Sequence, residues 1–451
     1  MTLKSINPYT NQIIAEFEEF SDEILDQVLN RSITTFEEWK KSATELRKRL
    51  MLRVSEILLE NTEEYARSIT GEMGKPMTES IAEIQKCSWV CEYYANNSKD
   101  FLRPEIILTD ATESYVQFEP LGPVLGIMPW NFPFWQVFRF AVPTIMAGNT
   151  VLLKHASNVQ LCAKHIETIF FKAGFPQGVF QNLVLGSERV EKIIENDIVK
   201  AVSLTGSESA GSKVAEIAGR KIKKSLLELG GSNSFVVLDD ANMEKAVETG
   251  VKARMQNAGQ SCIAAKRFII HERIANEFIS LFDKKLQSLR KGDPASKDTE
   301  IGPLASVQQA EIVRKQVRRS VEMGARIITG GYPEGAFYPP TLITDVRPGM
   351  HLFEEEVFGP VAPVIVARDD QQAVALSNRS AFGLGVSLFT NDYDKALALI
   401  PQFNEGSVFI NALVKSDPRL PFGGIKKSGY GRELAVQGIR EFVNVKTVYI
   451  K

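Results

Sequence analysis

Residues 121–153 read LGPVLGIMPWNFPFWQVFRFAVPTIMAGNTVLL, with Arg139 as the single charge. The run is long enough to cross a bilayer, yet Pro123, Pro129, Pro133 and Pro143 interrupt it, together with Gly122, Gly126 and Gly148. Proline removes a backbone donor and fixes φ, so a continuous membrane helix is a poor fit. A buried strand, a turn and a core helix fit better. Val124 to Met128 and Thr150 to Leu153 are short apolar runs of the kind found in parallel strands covered on both faces. The alternation continues outward. Val159, Cys162, Ile166, Ile169 and Phe170 mark one helix face, Gly174-Phe175-Pro176 ends it, and Val179 to Leu185 and Ala201 to Leu204 follow as strands. This pattern predicts a doubly wound α/β unit.

Upstream, residues 1–20 read as a short β-hairpin around Asn7-Pro8-Tyr9-Thr10-Asn11. Ser21-Asp22 caps a helical region running to about Thr70, the stretch from Gly71 to Pro76 breaks it, and a helix from about Thr78 to Asn97 follows. Alternating residues near Ser114 to Phe118 predict a strand. A second α/β set begins near Gly231, with strands expected at Phe235–Leu238, Phe268–Ile270, Ile327–Ile328, Val361–Val366, Val386–Phe389 and Val408–Ile410. Val443 to Ile450 alternates again, and as a terminal strand it is expected to add to another subunit's sheet edge.

The chain has 451 residues, room for two or three domains. Lysine plus arginine (53) and aspartate plus glutamate (55) nearly cancel, with no basic face to suggest a nucleic-acid partner. Met1 to Asn11 lacks the basic head and apolar core of a signal peptide. Cys87, Cys91, Cys162 and Cys262 form neither a disulfide framework nor a zinc pattern, and His155, His165, His271 and His351 form no ligand cluster. A reducing, cytoplasmic setting is expected, with no membrane partner and no metal.

Three motifs carry the chemistry. Gln256-Asn257-Ala258-Gly259-Gln260-Ser261-Cys262 ends a helical pattern and leads to the apolar segment Arg267 to His271. A cysteine after such a turn can face a cleft with its own N–H aimed the same way, giving a nucleophile and part of an oxyanion hole. Taken alone, a free cysteine equally packs as a small hydrophobe. Leu227-Glu228-Leu229-Gly230-Gly231 sets a carboxylate in apolar surroundings, which raises its pKa toward a useful base. Pro129-Trp130-Asn131-Phe132-Pro133 places an amide in a turn.

In this order and at these separations the motifs resemble those of the aldehyde dehydrogenase superfamily. The resemblance runs from Asn7-Pro8 to Lys446-Thr447-Val448, and within the superfamily it is strongest to the bacterial succinate-semialdehyde dehydrogenases. It implies two doubly wound α/β domains plus a small β oligomerisation element. Residues 1–101 with 121–230 would form the dinucleotide-binding domain, 231–430 the catalytic domain, and 102–120 with 431–451 the bridging segments of a homodimer or homotetramer. It implies a non-acylating enzyme in which Cys262 attacks a small-molecule aldehyde, Asn131 and the Cys262 N–H hold the oxyanion, and Glu228 is the base for thioester hydrolysis. Arg139 and Ser261 would bind substrate, Arg139 through a distal carboxylate; an internal Asp or Glu is the alternative partner of that buried charge. Many succinate-semialdehyde members carry a second arginine where this chain has Gln256, and some carry a second cysteine where it has Ala264. Another small aldehyde, or a catalytically silent binding protein on the same fold, are the alternatives.

No Gly-x-Gly-x-x-Gly follows a strand. Instead Gly206-Ser207 opens a helix after Ala201 to Thr205, and a helix N-terminus favours a pyrophosphate. Lys154 ends a buried strand, and Ser157 stands where NAD-preferring members often carry Glu. Without that carboxylate a 2′-phosphate is not repelled, so NADP is expected, with NAD as a weaker substitute. Ser157 is also placed to serve as a helix N-cap. By resemblance Trp130 and Leu229 also line the cofactor, Glu356 binds the nicotinamide ribose, and Phe358 packs near the ring.

Overall fold

A computed structural model describes residues 2–451. Residues 121–153 form the strand Pro123–Met128, the helix Trp135–Met146 and the strand Thr150–His155. Every residue of that helix is buried. No helix among the described residues is long and apolar enough to cross a membrane. Gly126 lets the strand and helix meet closely, since a Cβ there would lie 2.4 Å from the Phe140 ring.

The first sheet runs Gly429–Tyr430, Lys224–Glu228, Ala201–Thr205, Pro123–Met128, Thr150–His155, Phe180–Asn182. All but Gly429–Tyr430 pair in parallel. The chain winds outward in both directions from the pair Pro123–Met128 and Ala201–Thr205. Their C-terminal ends therefore form the switch-point crevice where open α/β sheets bind ligands.

The second sheet runs Arg326–Thr329, Thr341–Thr344, Val361–Ala367, Ala265–His271, Asn233–Val237, Val386–Phe389, Val408–Ile410. Only Arg326–Thr329 is antiparallel. The chain crosses between sheets at Gly230-Gly231-Ser232. A Cβ on Gly231 would lie 2.8 Å from the Cys262 carbonyl, so the C-terminal edge of the first sheet abuts the N-terminal edge of the second.

A third, antiparallel sheet joins Val443–Ile450, Glu113–Pro120 and Glu105–Ile106. The terminal strand was expected to add to another subunit. In this structure it pairs within its own chain, Val443 opposite Pro120 through Ile450 opposite Glu113. Among the described residues no strand pairs with its outer edge, and Val445, Tyr449 and Ile450 are exposed.

The N-terminal hairpin joins Thr2–Ile6 to Ile13–Glu18. Four helices follow: Asp22–Trp39, Thr44–Glu60, Thr62–Met73 and Met77–Phe101. Ser21 caps the first by accepting from the Ile24 N–H. The fourth buries Met77, Ser80, Ile84, Cys87 and Cys91 against the first sheet's helices, which explains its length.

Candidate active site

After the helix Met243–Met255 the chain does not simply turn. Asn257 (φ 54°), Ala258 (φ 50°) and Gly259 (φ 74°) are all left-handed. Such backbone persists only where tertiary contacts fix it. Glu79 accepts from the Asn257 N–H at 2.7 Å, and the Asn257 amide donates to the carbonyls of Asn131 (2.7 Å) and Gln260 (3.1 Å). Gln260 accepts from the Ala305 N–H at 2.9 Å. Buried Arg254 donates to the carbonyls of Ala265, Val357 and Gly359, tying the loop to the segment that bears Glu356 and Phe358. The result is Gln260-Ser261-Cys262 presented just before the strand Ala265–His271.

Asn131 sits on the turn that leaves the strand Pro123–Met128. Buried His155 accepts from the Ala156 N–H through Nδ1 (2.9 Å), so Nε2 carries the proton and donates to Pro133 O at 2.8 Å. Burial pushes the imidazole pKa down to about 4, which keeps it neutral. Glu83 accepts from the N–H groups of Phe134 and Trp135, each at 2.9 Å, anchoring the start of the next helix. Lys75 neutralises Glu83 and lies 3.8 Å from the Phe132 ring centroid. Asn131 itself is buried and donates one amide hydrogen to Gln260 O at 3.0 Å.

Cys262 borders two cavities. The smaller, about 280 Å³, is lined by Trp130, Asn131, Gly206, Ser207, Glu228, Leu229, Glu356 and Phe358. The larger, about 600 Å³, opens on the other side past Ser261, Trp135, Arg139, Ser416 and Phe422. Lys154 and Ser157 lie apart from both, Lys154 in the strand Thr150–His155 and Ser157 on the loop that follows. Lys154 is buried, and among the described residues no carboxylate pairs with it; burial lowers its pKa. The N-cap alternative for Ser157 does not hold, because the next helix starts after Val159 without a side-chain cap. Ser207 does cap its helix, accepting from the Ala210 N–H.

Burial pushes the Cys262 thiol up, opposed by the positive charges of Arg139 and Lys266. Lys266 donates to the carbonyls of Ser261 (2.7 Å) and Cys262 (2.8 Å) and pairs with Glu356 at 2.8 Å. Glu356 also accepts from the Gly231 N–H at 3.1 Å. Glu228 is buried, and burial followed by the nearby Glu433 holds its carboxyl well above the usual range.

Arg139 lines the larger cavity, where it was expected to meet a substrate carboxylate, and its guanidinium is ion-paired with buried Glu433, an internal acid of the kind weighed as the alternative partner. It also donates to Thr205 Oγ1 (3.4 Å) and lies 4.5 Å from the Phe422 ring centroid. Burying a lone cation is costly, and the tail of the chain supplies the counter-ion that the segment 121–153 lacks.

Sequence reading missed Glu79, Glu83 and Lys86, which recur at helical spacing on Met77–Phe101 and turn toward the site. Charges repeating at i, i+4 and i+7 beside an apolar stripe were the available signal. Glu433, Arg254 and Lys266 gave no such signal, because only the tertiary fold shows what they touch. His271 meets Asp239 and Asp370, the other three histidines lying outside that group. The Lys395 ammonium already lies 3.4 Å from Asp370 and 3.3 Å from Asp240 there.

A sequence model of the aldehyde dehydrogenase family matches residues 1–448. Over the full length of both chains, the sequence is 45% identical across 453 residues to a Synechocystis protein named probable succinate-semialdehyde dehydrogenase, NADP(+). It is 44% identical across 456 residues, again over both full lengths, to succinate-semialdehyde dehydrogenase 1, NADP(+), of Mycobacterium tuberculosis. The fold superposes on succinic semialdehyde dehydrogenase of Streptococcus pyogenes, solved with NADP+ as the cofactor, with a TM-score of 0.97, 35% identity and 99% of each chain covered.

Proposed function

This chain belongs to the aldehyde dehydrogenase family, and on that premise we propose that it oxidises succinate semialdehyde to succinate with NADP in preference to NAD. The observation that carries the reading is the position of Cys262 between two cavities, one suited to a cofactor ring and one to an aldehyde. The names of its relatives point to the same substrate and cofactor.

The residues present fit a dinucleotide. The smaller cavity lies at the sheet's switch point, Gly206 leaves its backbone open with only Leu204 in contact range, and Ser207 begins a helix. Lys154, three residues before Ser157, has no carboxylate partner among the described residues, and the neutral Ser157 side chain repels no 2′-phosphate. When bound, the oxidised nicotinamide accepts a hydride. On this reading residues 1–101 with 121–230 hold the cofactor and 231–430 supply the nucleophile, with Trp130, Leu229 and Phe358 flanking the ring and Glu356 facing the ribose.

The Cys262 thiolate adds to the aldehyde carbon, forming a C–S bond while the carbonyl π electrons move onto oxygen. The free amide hydrogen of Asn131 and the Cys262 N–H stabilise that oxyanion. The oxyanion re-forms the carbonyl as hydride leaves the same carbon, giving a thioester on Cys262. Glu228 then takes a proton from water, whose oxygen attacks the thioester carbon. The C–S bond breaks, thiolate is regenerated and the acid departs. Arg139 neutralises Glu433 beside this base and walls the substrate cavity. The unpaired outer edge of Val443–Ile450 supports a homodimer or homotetramer.

Absorbance of reduced cofactor, followed with NADP or NAD across an aldehyde panel, tests the assignment. Succinate semialdehyde with NADP should give the highest kcat/KM, and Cys262→Ala should lose turnover while still binding NADP. Equal rates for charged and uncharged aldehydes would remove the substrate assignment, and turnover by Cys262→Ala would remove the nucleophile.

A further inference from the structure

The larger cavity contains a cation that none of the motifs announced. Lys86, half-buried on the helix Met77–Phe101, reaches across the Trp135 indole with its ammonium 4.1 Å from the ring centroid. It donates to Ser416 Oγ at 2.7 Å, and Trp135 Nε1–H donates to the same oxygen at 3.1 Å. With two donors already on its oxygen, the Ser416 hydroxyl hydrogen is left to point elsewhere. Among the described residues no carboxylate forms an ion pair with Lys86, although carboxylates surround it. Glu83, one turn away on the same helix, is taken by Lys75, and Asp417 is taken by Arg419 at 2.8 Å. Arg139, on the facing helix Trp135–Met146, is taken by Glu433. Lys252 and Lys415 also line the cavity, but both are exposed at its rim, where water screens them.

We propose that Lys86 is the specificity residue that binds the distal carboxylate of the aldehyde substrate, oriented for it by Trp135 and Ser416. This rests on the reading of the chain as a semialdehyde dehydrogenase. A half-buried ammonium held over an indole without a counter-ion is an incomplete site, and an anion entering the cavity completes it. The cation's state is also poised to change. Burial first, and then the charge of Arg139, lowers the Lys86 pKa to about 7, while Cys87, Glu83 and Asp417 oppose the shift. As pH rises through that value the free enzyme loses the charge that a carboxylate would meet. An uncharged aldehyde has no such requirement.

The test measures kcat/KM for succinate semialdehyde and for butanal with the full-length enzyme and NADP, from about pH 6 to about pH 9. Taking the ratio of the two cancels effects on Cys262 and Glu228. In Lys86→Met the ratio should fall about 10- to 100-fold, mainly through KM for the semialdehyde, as expected for one lost charge-assisted hydrogen bond. The wild-type ratio should itself fall above about pH 7. Lys86→Arg should keep the preference with a shallower fall above about pH 7, because guanidinium stays protonated while Glu79, which lines the same cavity and is pushed up to about 7 by burial, still gains charge. A wild type that prefers the semialdehyde, with that preference intact in Lys86→Met, overturns the role of Lys86 and leaves the reading standing. A wild type without preference overturns the reading and the inference together. Should Lys86→Met fail to bind NADP by fluorescence titration, the wild-type pH profile decides: a flat ratio overturns the proposal.

Discussion

Glu228 shows what a single buried carboxyl can be made to do. Its Oε1 is buried without a hydrogen-bond partner among the described residues, and Gly423 keeps a side chain off it, since a Cβ there would lie 2.8 Å from that oxygen. Desolvation therefore dominates its raised pKa, with Glu433 adding to it and Arg139 opposing. Such a group is a stronger base once ionised than a solvated glutamate, so it suits proton abstraction from water near neutrality. In Glu228→Gln, we expect a rapid burst of about one reduced cofactor per site, followed by a steady state slower by about 10²–10⁴-fold. The wild-type steady state should rise with pH as the raised carboxyl ionises, and the variant should lose that rise. Stopped-flow absorbance at several pH values checks both, and equal slowing of burst and steady state would assign Glu228 to another step. The apolar neighbours Leu226, Leu227 and Leu229 made the burial of this residue legible in the sequence. Its coupling to Glu433 and Arg139 was not, because those contacts join segments far apart in the chain.

At the scale of elements, the turn before Cys262 was legible as a turn, and Gly259 marked it. The sequence did not foretell that Asn257 and Ala258 would share its left-handed backbone. Asparagine tolerates that region through its short polar side chain, but alanine does not, so the contacts from Glu79, Asn131 and Arg254 must enforce it. The strand Lys224–Glu228 was missed for a related reason. Its first residues are polar and partly exposed, so the apolar run reads as beginning only at Leu226. Thr341–Thr344 holds only two apolar residues between threonines. Gly259 is doubly constrained, because besides its positive φ a Cβ would lie 2.3 Å from the Gly359 carbonyl oxygen. Gly259→Ala should therefore lose about 1–3 kcal/mol of stability and, by shifting Cys262, lower kcat for every aldehyde. Gly335→Ala is the control, since Gly335 has φ 59° but nothing within 4 Å of its added Cβ. Thermal unfolding and kcat for both variants separate backbone strain from collision. Equal effects would show that Gly359 yields and that the left-handed backbone alone matters.

At the scale of the whole molecule, the two-sheet plan was legible because alternation of apolar runs with helical stripes reports topology directly. What joins the sheets was not. Arg139 belongs to a helix of the first sheet, Glu433 to the tail that returns after the second, and they meet beside Glu228. The tail is pinned on both sides of Glu433. Its backbone exchanges hydrogen bonds with Phe422 at 2.7 and 2.8 Å, and the Tyr94 hydroxyl donates to Ala435 O at 2.9 Å. Leu434 (φ 64°) and Ala435 (φ 50°) are held left-handed there, so the segment cannot relax cheaply if its ion pair is broken. Arg139→Leu would leave Glu433 buried without a counter-ion next to another carboxyl. Removing one partner of a buried pair typically costs about 3–5 kcal/mol, whereas removing both often costs far less. We therefore expect Arg139→Leu to lower the thermal unfolding midpoint markedly, and Arg139→Leu combined with Glu433→Leu to recover much of the loss. Activity of the single variant should fall in similar proportion for succinate semialdehyde and butanal, because what is lost is the setting of Glu228 and the cavity wall. Unfolding midpoints for the two variants, with kcat/KM for both aldehydes, decide between this account and direct substrate binding. If Arg139→Leu melts like the wild type and loses only the semialdehyde, the guanidinium serves the substrate, and Glu433 is a partner it exchanges on binding.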